Sequence, residues 1–213
     1  MIDVLNEIGY AVVPPRVLKA VDYGVPQKRE RLFLVAVRQD VEAEFLWPEP
    51  LDEKYVLRDA LKAGSLYPVD VPVSPGQRYP ESKRAVLAMV PPGGYWRDLP
   101  EDVQRDYMKG SYHLGGGKTG MARRIAWDEP SLTLTCGPAQ KQTERCHPDE
   151  TRPFTVREYA QIQTFPDEWV FCGSLSSQYR QIGNAVPVNL SYHMSLSARR
   201  LLERHREGGL VEA

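Results

Sequence analysis

Tyr23-Gly24-Val25-Pro26-Gln27-Lys28-Arg29-Glu30-Arg31-Leu32-Phe33-Leu34-Val35 is the stretch on which the reading of this chain turns. Tyr23 to Pro26 carry a turn signal, and Arg31 to Arg38 read as a strand buried on both faces. Gln27, Arg29 and Arg31 alternate, so at strand spacing three long polar side chains share one face. Leading into apolar Leu32 to Val35, they form a donor-rich ledge at the mouth of a sheet. A guanidinium there can fork onto a carbonyl oxygen or a phosphate and stays charged at any working pH. On spacing alone the alternative is a ledge of salt bridges, to Glu30 or to a missing neighbour.

Toward the N-terminus, Ile2, Leu5 and Ile8 recur at helical spacing up to Gly9, so the chain opens on the last turns of an amphipathic helix. Ala11 to Pro14 and Val17 to Ala20 read as short extended pieces. Toward the C-terminus, nine prolines between Pro48 and Pro100 break any long periodic run, and Asp40 to Tyr107 is expected to be loop-rich, with short helices at Val56 to Ala63 and Ser82 to Val90. Thr155-Val156-Arg157-Glu158 fits a capping box, with Phe154 and Tyr159 as its hydrophobic staple, and predicts a helix to about Gln163. Pro187 suits a first helical position. Leu190, Met194, Ser197 and Leu201 then line one face, with Arg204 and Arg206 near the end and Gly208 beyond it.

A length of 213 residues with 42% hydrophobic and 26% charged residues is globular in character and excludes a disordered or fibrous chain. The formal charge is only −1, so a nucleic-acid partner requires basic groups focused on one face. From Arg105 to Arg145 the basic residues Arg105, Lys109, Lys118, Arg123, Arg124, Lys141 and Arg145 outnumber Asp106, Asp128, Glu129 and Glu144. Gln140, Gln142 and Thr143 in the same stretch have side chains of the groove-reading type. Gly115-Gly116-Gly117-Lys118-Thr119 resembles the end of a phosphate-binding loop, but Tyr112 stands where its first glycine is required, which excludes a triphosphate site. Its glycines beside Lys118, Arg123 and Arg124 suit close approach to a phosphate backbone, or form a solvated basic loop.

Cys136, Cys146 and Cys172 lack the spacing of a zinc or dithiol site and read as reduced thiols of a cytoplasmic protein, with no metal expected. The apolar run Leu32 to Val37 is far shorter than the roughly 18 residues of a membrane span. No membrane association is expected.

Three segments together resemble the DNA (cytosine-5) methyltransferases. Tyr23 to Arg31 is similar to their eighth motif; Arg152-Pro153-Phe154-Thr155-Val156-Arg157-Glu158-Tyr159-Ala160 with Gln163-Thr164-Phe165-Pro166 to their ninth; and Gln181-Ile182-Gly183-Asn184-Ala185-Val186-Pro187 to their tenth. Order and spacing also match. The family's glycine-rich cofactor motif, Pro-Cys nucleophile loop and Glu-Asn-Val motif precede the eighth motif and are not found here. Each cysteine follows a residue other than proline: Thr135, Arg145 or Phe171.

The resemblance implies an α/β fold: the C-terminal part of a Rossmann-like methyltransferase catalytic domain, a small loop-rich target-recognition domain, and a C-terminal helix returning to the catalytic domain. Residues 1–38 would end the catalytic domain, 39–180 would form the recognition domain with the ninth motif, and 181–213 the tenth motif and last helix. It implies restriction-modification chemistry on double-stranded DNA with a flipped cytosine, S-adenosylmethionine as methyl donor, and an N-terminal half or alpha-type subunit as partner. By family position, Arg31 would hold the cytosine O2, Arg29 would orient it and contact phosphate, and Gln27 would hold the ledge or reach the backbone of the flipped strand. Asn184 and Val186 would line the cofactor pocket. Lys118, Arg123, Arg124, Lys141 and Arg145 are the expected DNA contacts. The competing readings are a DNA-binding module without chemistry and a truncated remnant without function.

Overall fold

The computed structural model describes residues 1–115 and 119–211. Helix α1, Ile2–Glu7, ends as expected before Gly9, which takes a φ of 86° that side chains disfavour. The two extended pieces that follow are one strand, β1 at Tyr10–Lys19, with its register slipping between Val13 and Arg16. Pro14 and Pro15 have no N–H for a ladder, so the irregularity falls on them.

Strand β3, Glu30–Arg38, departs from the expectation of burial on both faces. Among the described residues it pairs antiparallel with β1 alone, in a two-stranded sheet. One face, with Leu18 and Phe33, packs on the C-terminal helix α7, Val188–Val211, through Leu190 and Met194, joined by Ala20, Tyr23, Val25, Trp47 and Val186. On the other face the directly paired Val17 and Leu32 are 57% and 69% exposed. An apolar run reads the same whether its second face is covered or bare, which is why sequence overstated the burial.

Downstream, α2 at Leu57–Leu61 lies within its predicted span, α3 at Glu81–Ala88 starts one residue before its own and ends two short of it, and α4 at Glu101–Met108 occupies ground expected to be loop. Its prolines precede or flank these helices and do not interrupt them. Helix α5, Val156–Ile162, has the predicted box: Glu158 Oε2 accepts from Thr155 N at 2.7 Å, and Thr155 Oγ1 accepts from Glu158 N at 3.4 Å. Phe154 and Tyr159 are fully buried beside it. A second helix not foreseen, α6 at Leu175–Asn184, runs unbroken across residues 180 and 181, where sequence drew a domain boundary. Helix α7 buries Leu190, Ser197 and Leu201 as predicted, but continues through Gly208 to Val211. A helical glycine costs only about 1 kcal/mol, too little to stop a helix without a left-handed cap.

One core joins α2, α5 and α6 through Leu57, Leu61, Ile125, Leu134, Tyr159 and Ile182. A second gathers Tyr79, Leu87, Val90, Trp96, Met108 and Cys146 around α3 and α4. Among the described residues no helix is long and apolar enough to cross a membrane, and no cluster of three metal-ligating side chains occurs.

Candidate functional site

The ledge is built where two distant segments meet. Strand β2, Gln27–Lys28, pairs in parallel with β4, Ser131–Leu132. Gln27 is fully buried, and its Oε1 accepts from Leu134 N at 3.3 Å. Arg29, 1% exposed, donates from Nη1 to Leu134 O at 3.1 Å and from Nη2 to Gly183 O and Ala185 O, both at 2.9 Å. One guanidinium thus ties the eighth-motif segment to the loop after β4 and to the C-terminus of α6. Burial, and then the charge of Arg31, push Arg29 down to about 10, while Cys136 opposes the shift. It remains a cation at neutral pH.

Arg29 is therefore a strut, and its expected phosphate contact is not available: both terminal nitrogens are committed to carbonyls. Arg31 differs. It is half-buried, donates from Nη1 to Glu30 O at 2.7 Å and lines a cleft of about 560 Å³ with Lys19, Val21, Lys28, Arg29 and Thr133. Partial desolvation also lowers its pKa. Carboxylate pairing does not make this ledge, because Arg31 meets the backbone of Glu30; only Lys28 reaches a carboxylate there, that of Glu129 at 3.6 Å.

Asn184 and Val186 flank the same junction. Asn184, at the end of α6, is exposed, and its Oδ1 accepts from Cys136 Sγ at 3.0 Å. Val186 is half-buried against the Leu190 core. Gly183 and Asn184 are both helical. The glycine answers a close approach: a Cβ there would lie 2.6 Å from Thr135 O and 2.9 Å from Cys136 N.

The central basic residues separate into two groups. Arg124 is 4% exposed, with Nε donating to Val90 O, Nη1 to His147 O and Pro148 O, and Nη2 to Leu87 O and Thr151 Oγ1. Arg145 is 6% exposed and donates to Thr133 O and Glu144 O, with its pKa lowered chiefly by burial. The expectation that these two touch DNA is corrected: each fills its donors with carbonyls that would otherwise be buried unpaired. Arg123 is half-buried and held by Glu129 at 2.9 Å. Lys141 is exposed, with its ammonium on Tyr107 O and 4.7 Å from the Tyr107 ring centre. Lys118 lies outside the described residues.

Sequence reasoning missed Thr133 to Cys136, the loop that completes the ledge. Thr133 Oγ1 donates to Lys28 O at 2.6 Å, and Leu134 supplies both partners named above. The one sequence signal for it is Gly183, whose bare α-carbon admits Thr135 and Cys136.

A family model described as C-5 cytosine-specific DNA methylase matches residues 1–198. The Type II methyltransferase M.Eco47II of Escherichia coli is 63% identical over 204 residues, covering 95% of this chain and 49% of that protein. M.Sau96I of Staphylococcus aureus is 54% identical over 197 residues, with coverages of 92% and 45%. The chain spans about half the length of the curated relatives it matches. Among solved structures, the Entamoeba histolytica methyltransferase EhMeth aligns with a TM-score of 0.54 at 15% identity, over 95% of this chain and 56% of that one. The S. pombe Dnmt2 methyltransferase aligns at 0.51 and 19% identity, over 95% and 60%; both likenesses concern the α/β fold. On the family match and the identities above one half, this chain belongs to the C-5 cytosine-specific DNA methylases.

Proposed function

We propose that the chain performs target recognition and closes the cofactor pocket in restriction-modification DNA cytosine-5 methylation, acting with a segment that carries the glycine-rich, Pro-Cys and Glu-Asn-Val motifs. In this reading residues 1–38 complete the catalytic domain, the central segment recognises DNA and the last helices return to the catalytic side. The observation that carries it is the Arg29 strut, which ties the loop at Leu134 and the end of α6 to the strand segment that places Arg31 in a cleft with Lys19, Lys28 and Thr133.

Arg31 is the residue of this chain that meets the flipped cytosine. When a thiolate from the companion segment attacks carbon 6, electron density moves onto the ring, and a fixed guanidinium at O2 stabilises it. Arg29 and Gln27 position Arg31 by fixing β2 and the loop behind it. Lys19 and Lys28, both exposed at the cleft, neutralise flanking phosphates together with Lys118. Asn184 and Val186 suit one wall of an S-adenosylmethionine pocket: an exposed carboxamide whose nitrogen has no partner among the described residues, beside an apolar side chain. The donor, when bound, supplies an electrophilic methyl group to carbon 5.

Tritium transfer from labelled S-adenosylmethionine to cytosine in duplex DNA tests the proposal, with this chain, the N-terminal half of the E. coli relative, and their mixture. Transfer by the mixture alone is the expected outcome. Transfer by this chain by itself would overturn it, and a mixture that co-purifies without transfer would favour the DNA-binding module.

A further inference from the structure

We infer that Gln142 reads a base edge of the duplex next to the flipped cytosine, an inference that rests on the function proposed above. The loop from Gly137 to Thr143 leaves the ledge directly after Cys136, so whatever its tip presents lies beside the target base. Its stem is fixed from several sides. Thr135 Oγ1 and Thr143 Oγ1 share a hydrogen bond of 3.1 Å across its neck. Arg145 Nη2 reaches Thr133 O at 3.0 Å, and Thr133 in turn holds Lys28 O. Behind the neck, the buried Glu144 carboxylate pairs with Lys83 at 2.7 Å and accepts from Tyr107 and from Ala122 N. Glu144 N donates to Gly120 O at 3.0 Å.

Within that frame the polar side chains can be sorted by what they already hold. Arg145 is spent on carbonyls, Thr143 on Thr135, and Lys141 on the backbone and ring of Tyr107. Gln140 folds back over Gly137, where an added Cβ would lie 3.2 Å from its Nε2. Gln142 remains: it is exposed, and its side chain has no partner among the described residues. Its backbone, by contrast, packs on the stem: the carbonyl lies against Gly120 so closely that a Cβ there would come within 2.6 Å. A free carboxamide on a loop with a held neck suits a reader of base edges, since it offers both a donor and an acceptor.

The test uses the chain paired with the N-terminal half of the E. coli relative, acting on duplexes with randomised base pairs around one cytosine and read by sequencing of methylated products. Gln142→Ala is expected to lower discrimination at one flanking base pair by about tenfold to a hundredfold, and Gln142→Glu to change the preferred base there. Gln140→Ala is expected to keep the parent preference. An unchanged preference with Gln142→Ala, loss only with Gln140→Ala, or a lowered unfolding midpoint with Gln142→Ala would overturn the inference. If the unsubstituted pair transfers no methyl group, the proposed function fails. The preference of duplexes selected by binding from the same library then decides the role of Gln142 by the same criteria.

Discussion

In the β1–β3 hairpin the apolar pair Val17 and Leu32 faces solvent at 57% and 69% exposure, while in the central segment the cations Arg124 and Arg145 are buried to 4% and 6%. The usual partition of residue types is inverted between the two regions. The central segment has closed on itself. With many turns and few long elements, it leaves backbone carbonyls inside, and guanidinium forks satisfy them. In the hairpin one face is packed on α7, while Val17 and Leu32 on the other stand in water. Buried charge in one region and exposed hydrocarbon in the other report whether packing is complete, which neither composition nor net charge can do.

The strongest way to break this comparison is Arg124→Ala. If the guanidinium is an internal strut, its loss strands carbonyls at Leu87, Val90, His147 and Pro148, and stability falls by about 3 to 5 kcal/mol in urea unfolding. A change below about 0.5 kcal/mol, the range of ordinary surface sites, would return Arg124 to the surface and to phosphate binding.

Leu32→Asp probes the other side. In the isolated chain it should leave unfolding within about 0.5 kcal/mol, because the side chain is already in water. Association with the N-terminal half of the relative, measured by calorimetry, should weaken by about 2 kcal/mol, the scale of one leucine lost from burial. Equal affinity for both forms would mean the bare face is not where a companion docks.

The smallest effect concerns His147. Burial first, opposed by Glu158, holds its folded pKa below 6.5, and Nδ1 accepts from Asp149 N and Glu150 N. The unfolded imidazole takes up a proton first as pH falls, so the stabilisation is complete above pH 6.5 and is lost as pH drops through the folded value. Urea midpoints between pH 5 and 7.5 should decline more steeply in the parent than in His147→Gln. Parallel curves would place His147 outside this balance.

Local chemistry was legible in sequence and spatial chemistry was not. The capping box of Thr155 and Glu158, the arrest of α1 at Gly9 and the apolar stripe of α7 are written within a few neighbouring residues. The ledge was legible as alternation, but not the inward turn of Gln27 and Arg29, which depends on Leu134, Gly183 and Ala185 far along the chain. The count of basic residues from Arg105 to Arg145 could not separate struts from contacts. That division is made by which carbonyls the turns happen to leave inside.

The strut at Arg29 also sets a timetable. Its partners Gly183 and Ala185 lie 154 and 156 residues further along. At the roughly 5 to 20 residues per second of synthesis, about 8 to 30 s separate the emergence of this arginine from that of its acceptors. During that interval the second core around Trp96 and Cys146 can form, while the ledge cannot. The ledge therefore closes only once the end of α6 has been made, and for those seconds the nascent polypeptide carries an arginine still short of two of its acceptors.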